Sequence, residues 1–269
     1  MLGCVPLLAA VLLASFSLSR GDGNADRIVD LPGLTFHPNF TQYSGYLTIP
    51  SGRKLHYWLV ESQNSPNEDP LVVWMSGRPG CSSLGGFLKE HGPFHPNPDG
   101  ETLYENVFSW NKVLTLADLL STAFVLEGSN VLYLEVTHDV GFSYGPPGLS
   151  NNDTWNDNSI AQDAVDALGA FLNLFPGFKT NELYIAGDSY IGGVVVPIAT
   201  NLLIRKMSAG SFQLNGTLMG MIVGNGGFSK YQQLNSAIDL SYYRGILGRT
   251  NIPLFFLVID GVSLDGLLN

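Results

Sequence analysis

Two hydrophobic rhythms run along the chain. Residues 43–49 and 55–61 alternate apolar and polar positions on either side of Pro50-Ser51-Gly52, which predicts a half-buried strand pair joined by a turn. Leu71 to Met75, Asn130 to Glu135, Leu183 to Ala186 and Met219 to Val223 are instead short, nearly continuous apolar runs, the pattern of strands buried on both faces of a parallel sheet. A third rhythm has the helical period. Over Asn158 to Phe175, residues Ile160, Ala164, Val165, Leu168, Phe171, Leu172 and Phe175 share one stripe, while Gln162, Asp163, Asp166 and Asn173 fall mostly off it, and Pro176-Gly177 ends the run. Gly193 to Met207 reads as another helix, interrupted near Pro197. Strand, helix, strand, helix in succession predicts an α/β fold with a mostly parallel sheet, whose functional residues belong at the carboxyl ends of the strands.

Composition narrows the class. With 269 residues, 45% hydrophobic and 13% charged, the chain can bury a large core, and it shows no repeat or low-complexity tract. A balance of 23 acidic to 13 basic residues, net charge −10, without a Lys/Arg cluster, argues against nucleic acid and against anionic membrane as partners. Leu2 to Leu18 is apolar and almost uncharged, and small residues at Ser17 and Ser19 suit cleavage, so residues 1–19 are expected to be a secretory signal. Sequons at Asn39, Asn152 and Asn215, each among polar or turn residues, fit that route and predict surface glycosylation. Cys4 lies in the signal-like segment, which leaves Cys81 unpaired in the remainder.

Candidate chemistry sits at two places. In Leu183-Tyr184-Ile185-Ala186-Gly187-Asp188-Ser189-Tyr190-Ile191-Gly192-Gly193 an apolar run meets a glycine, then a serine, then a helical run. That outline fits a nucleophile elbow, where a sharp turn lifts the serine hydroxyl clear of the sheet, although the usual five-residue form wants glycine at position 191. By itself it equally fits a plain strand-to-helix turn with a solvated serine. The other place is Leu71 to Gly86, where a strand breaks into Ser76-Gly77-Arg78-Pro79-Gly80-Cys81-Ser82-Ser83, a loop whose backbone N–H groups can face a ligand.

Together these stretches resemble the serine carboxypeptidases, where they read roughly W-L-N-G-G-P-G-C-S-S-L and G-E-S-Y-A-G. The likeness runs from Leu31-Pro32-Gly33-Leu34 to Tyr242-Tyr243-Arg244-Gly245-Ile246-Leu247-Gly248, through Gln42 to Leu47, His56-Tyr57-Trp58, Glu90-His91-Gly92-Pro93-Phe94, Ser109-Trp110-Asn111, Gly141 to Tyr144 and Gly224-Asn225-Gly226. It covers the first half of a typical family member. Residues 20–250 would then form a partial α/β-hydrolase domain, C-terminally incomplete, with helices on both faces of the sheet. Residues 112–129 are an atypical insertion, and 251–269 are an unmatched tail.

The resemblance implies roles. Ser189 would be the nucleophile that cleaves the last peptide bond of a substrate through an acyl-enzyme, and the backbone amides of Arg78 and Tyr190 would form the oxyanion hole. Ser76, Gly77, Glu90 and Asp188 match the recess for the substrate's free carboxylate. Carboxyl groups hold a carboxylate only when a proton is shared among them, which accounts for the family's acidic preference and a lysosomal or extracellular setting. Read alone, Glu90 is an exposed helical acid. The family's match to Cys81 is bridged to a later cysteine, and none follows here. No metal or cofactor is implied; the implied partners are peptide or protein C-termini and, by analogy within the family, a protein that this one protects.

The chain also departs from the family. Asparagine is replaced by Ser76, a glycine by Arg78 and a glutamate by Asp188, and an extra residue between Ser189 and Pro197 is expected to put the following helix out of register. If the backbone at Arg78 needs positive φ, its side chain costs about 1–2 kcal/mol. The triad order of this fold is serine, acid, histidine. All five histidines, at 37, 56, 91, 95 and 138, precede Ser189, and Asp239, Asp260 and Asp265 lie outside any aspartate motif of the family. Three functional readings follow: a carboxypeptidase by descent that is inactive as this chain, a non-catalytic secreted peptide-binding or partner-protecting protein, and a general serine esterase. A sheet edge left uncovered would make the isolated chain poorly soluble.

Overall fold

The hairpin forms where the alternation placed it. Strands β1 (Gln42–Thr48) and β2 (Lys54–Val60) pair antiparallel from Gln42 opposite Val60 to Thr48 opposite Lys54. The chain is described here by a computed structural model that covers residues 23–112, 128–137, 139–146, 156–246 and 248, with only the backbone at 230, 231, 234 and 235. The signal-like segment 1–19, Asn152, His138, the body of the 112–129 insertion and the tail 251–269 lie outside the described residues.

The four apolar runs become β3 (Leu71–Met75), β6 (Asn130–Leu134), β7 (Leu183–Asp188) and β8 (Leu218–Gly224), while β4 (Phe94–Pro96) and β5 (Leu103–Glu105) form a separate small ribbon. The main sheet has the order β1-β2-β6-β3-β7-β8, parallel from β6 to β8. From β3 the chain steps first to β6 on one side and later to β7 on the other. The direction of winding therefore reverses at β3, and the crevice for a ligand opens there, beyond the carboxyl ends of β3 and β7. Both candidate stretches of the sequence reach this point.

Two helices cover one face of the sheet, α2 (Asp157–Leu174) and α3 (Val196–Ser208); α1 (Leu84–Lys89) lies on the other, and α4 (Lys230–Tyr243) follows β8. The predicted stripe of α2, from Ile160 to Phe171 and Leu172, packs on Leu55, Tyr57, Leu59, Val73, Leu132 and Ile185. Across the sheet Val72, Trp74, Val131 and Tyr133 pack on Phe87 of α1 and on Phe94. Each fully buried leucine or phenylalanine in these layers contributes roughly 1.5–3 kcal/mol. A reciprocal cap between Asn156 and Ser159 starts α2, with both backbone amides answered by a side chain.

Two sequence expectations are corrected. Asp163, expected off the apolar stripe, is buried, because Arg53 from the hairpin loop reaches its carboxylate at 2.7 Å. Pro197 does not interrupt its helix: it occupies the first turn of α3, where its missing N–H costs nothing, and the irregularity lies before it. The stretch Ile191–Ser208 is long and apolar enough to cross a membrane by length and composition, but 44% of it is buried against the sheet and α2, the place of a core helix. At the other side of the fold β8 is an edge strand, with Met219 and Met221 each 47% exposed.

His91 shows what this packing does to a titratable group. Its ring stacks on Trp110 at 4.1 Å and beside Tyr133, with Trp74 edge-on, and its Nδ1 lies 2.9 Å from the Tyr133 hydroxyl. Burial pulls its pKa down to about 3. The unfolded ring takes a proton near pH 6.5 and the folded ring does not, so stability falls as pH drops from 6.5 toward 3. Between pH 7 and pH 5 this ring should cost about 2 kcal/mol of stability, a slope that urea unfolding of His91→Phe is expected to lack.

Candidate active site

Ser189 stands at the junction of β7 and the helical run, and its backbone is left-handed, φ +56°. A non-glycine residue held there costs on the order of 1–3 kcal/mol, and such strain persists only where neighbours enforce it. Here the Ser189 carbonyl accepts from the Gly227 amide at 3.2 Å, and the Ile191 amide donates to the Gly77 carbonyl at 2.8 Å. This is the sharp turn expected of an elbow.

Behind the serine, where an extra residue was expected, the chain makes one turn of π-helix, Ile191–Val195. A π turn holds one more residue than an α turn, so an insertion can be absorbed locally while the rest of the helix keeps its place. Ile191 goes into the core, and the glycine expected at 191 is found at 192. A Cβ at Gly192 would come 2.4 Å from the Gly187 carbonyl oxygen, so the close approach is still met by a glycine. The irregular turn is confined to five residues, and α3 packs on the sheet and α2.

The loop after β3 meets the elbow through Asp188. One carboxylate oxygen accepts from the Gly77 amide at 2.7 Å and the other from the Ser189 hydroxyl at 2.7 Å. Gly77 has φ +79° and Gly80 φ +96°, whereas Arg78 is not in the left-handed region, so its side chain imposes no strain of that kind. The Gly77 carbonyl is turned to Ile191, and the planar trans peptide directs the Arg78 N–H the opposite way. Among the described residues that amide has no acceptor. The Tyr190 amide belongs to the first turn of the helical run, where N–H groups have no intrahelical partner. Ser76 is buried, and its hydroxyl accepts from the Trp74 indole at 2.6 Å.

Glu90 closes the C-terminal end of α1 and is exposed. Its carboxyl is nonetheless pushed above the usual range, first by partial desolvation and then by the charge of Asp188. Gly77, Asp188 and Ser189 thus meet at one rim of the sheet, with Ser76 next to Gly77 in the chain and Glu90 near enough to feel the charge of Asp188. No histidine joins them: among the described residues the Ser189 hydroxyl is bonded to Asp188, not to His37, His56, His91 or His95. Cys81 is an exposed free thiol in the same loop, and Asn39 and Asn215 are exposed. Among the described residues no group of three or more His, Cys, Asp or Glu side chains is placed to hold a metal.

Sequence reading missed a buried cluster behind the loop, Glu135 with His56, Ser82 and Ser44. The available signal was the glutamate closing an otherwise apolar strand run, Asn130 to Glu135.

Comparison with known proteins places the chain in a family. The family model for serine carboxypeptidase matches residues 32–253. The lysosomal protective protein of Mus musculus is 40% identical over 90% of this chain and 46% of its own length. A Caenorhabditis elegans serine carboxypeptidase, ctsa-4.1, is 35% identical over 88% of this chain and 45% of its own. The chain thus spans about half the length of the curated relatives it matches. In fold it is similar to the prohormone-processing carboxypeptidase Kex1Δp of Saccharomyces cerevisiae, with a TM-score of 0.66 at 23% identity, over 86% of this chain and 49% of that one.

Proposed function

Since the chain belongs to the serine carboxypeptidase family, we propose that the rim around Ser189 binds the free C-terminus of a peptide and that this 269-residue chain lacks the base to cleave it. The observation that carries the reading is Asp188, whose carboxylate ties the Gly77 amide to the Ser189 hydroxyl beside a second carboxyl, Glu90. Such a pair rejects ordinary anions but takes a carboxylate once one proton is shared among the three groups. Partial desolvation and the charge of Asp188 both push the Glu90 carboxyl up, which favours a proton there.

In this reading the terminal carboxylate lies against Glu90 and Asp188, with Ser76 and Gly77 forming the wall. The carbonyl of the last peptide bond faces Ser189, and its oxygen points at the amides of Arg78 and Tyr190, which would stabilise the developing charge. With a histidine to take its proton, Ser189 would form an acyl-enzyme. Without one, the site retains peptide binding. The secretory route, glycosylation at Asn39 and Asn215 and a lysosomal or extracellular location belong to the same proposal. An esterase reading predicts indifference to a free carboxylate. Calorimetric titration with one peptide as acid and as amide separates them: preference for the acid supports the proposal, and equal binding overturns it.

A further inference from the structure

The loop from Ser76 to Ser83 carries most of the proposed site, yet residues 78–81 are exposed and rich in glycine and proline. A loop of that composition does not hold one shape unaided; contacts from the sheet must fix it. Ser83 ties the loop to the sheet, and a turn closes the loop on itself. The Ser83 hydroxyl accepts from the Ser76 amide at 3.1 Å and donates to the Leu134 carbonyl at 2.7 Å. The Cys81 amide closes a turn on the Arg78 carbonyl at 2.8 Å.

The third contact comes from Glu135, which follows β6 and is 1% exposed. One of its oxygens accepts from the Ser82 hydroxyl. The other accepts from His56 Nδ1 and from the Phe142 amide, each at 2.9 Å. His56 is itself braced, with the Ser44 hydroxyl 2.8 Å from Nε2 and its own amide on the Ser143 hydroxyl at 2.8 Å. The backbone passes so close at Gly141, φ +56°, that a Cβ there would lie 1.8 Å from the carboxylate. Burial pushes the Glu135 carboxyl up, but the hydrogen bonds from His56, Ser82 and Phe142 outweigh it and hold the group below its ordinary value. Three donors from separate segments thus meet this carboxyl, one on the first oxygen and two on the second.

A buried carboxylate is a poor choice for stability alone, because apolar residues of similar volume do as well or better. We propose that Glu135 is a positioning residue: held by His56 and the Phe142 amide, its carboxylate grips Ser82 and so fixes the loop that presents Gly77 and the Arg78 amide to the peptide. The inference rests on the peptide-binding reading of the rim.

The test uses the full chain and two measurements. Ser82→Ala removes the grip, together with the bond its hydroxyl accepts from the Leu84 amide at 3.2 Å, while leaving Glu135 paired with His56; Gly141→Ala pushes on the carboxylate and leaves the Ser82 hydroxyl in place. In both, amide exchange across residues 77–81 should rise about tenfold relative to β6, the worth of one charge-assisted hydrogen bond, and preference for peptide acid over amide should fall by a similar factor. Ser82→Thr, which keeps the hydroxyl, should restore both. Unchanged exchange in Ser82→Ala and Gly141→Ala overturns the role of Glu135 whatever the peptide does. A wild-type chain that binds acid and amide alike overturns the reading of the rim itself, and the exchange data keep the two failures apart.

Discussion

Incubated with a blocked dipeptide at pH 5, the 269-residue chain is expected to release no product above background, and Ser189→Ala is expected to change nothing. Removing the base histidine from a serine hydrolase lowers turnover roughly a millionfold, and no histidine follows Ser189 in this sequence. Of those that precede it, His56 is committed to Glu135 and His91 is enclosed between aromatic rings. Asp188 does touch the hydroxyl, at 2.7 Å, but a carboxylate is a far weaker base than imidazole and this one also serves the Gly77 amide. Turnover that disappears in Ser189→Ala would show that another group takes the proton.

Binding is expected to behave oppositely. At pH 5 a peptide with a free C-terminus should bind about 10 to 100 times more tightly than its amide, the span of one hydrogen bond between charged groups. The preference should grow as pH falls from 7 to 5. The sign follows from Glu90: its carboxyl is pushed up by desolvation and by the charge of Asp188, so it gains a proton at a higher pH than an ordinary glutamate and then donates to the ligand. Glu90→Gln, a permanent neutral donor, should flatten the pH dependence while keeping preference for the acid. Calorimetry of both peptides across that range measures this. Tighter binding at pH 7 than at pH 5 would refute the shared-proton account.

How legible the molecule was in its sequence depended on the range of the interactions. The parallel strands were readable because β3 is apolar throughout and both its faces are buried, so pattern and environment coincide. Helix α2 was readable from its stripe, whereas its cap, Asn156, was not singled out. The rim was readable because the elbow and the loop each carry their own short pattern. What escaped was long-range or compensating. The burial of Asp163 depends on Arg53, 110 residues earlier. The π turn after Ser189 is one turn long and leaves no period of its own in the sequence. Helix α1, β4 and β5 are too short for any period to emerge. Glu135 reads as an ordinary polar end to a strand until His56, Ser82 and Phe142, from three separate segments, converge on it.

The whole account turns on two segments a hundred residues apart addressing one ligand. A crystal structure with a short peptide bound at pH 5 tests that directly. The expected result is a terminal carboxylate against Glu90 and Asp188, with the last peptide carbonyl over the Ser189 hydroxyl and its oxygen within about 3 Å of the Arg78 and Tyr190 amides. A peptide seated elsewhere, or entering with its amino end toward Glu90, would contradict it.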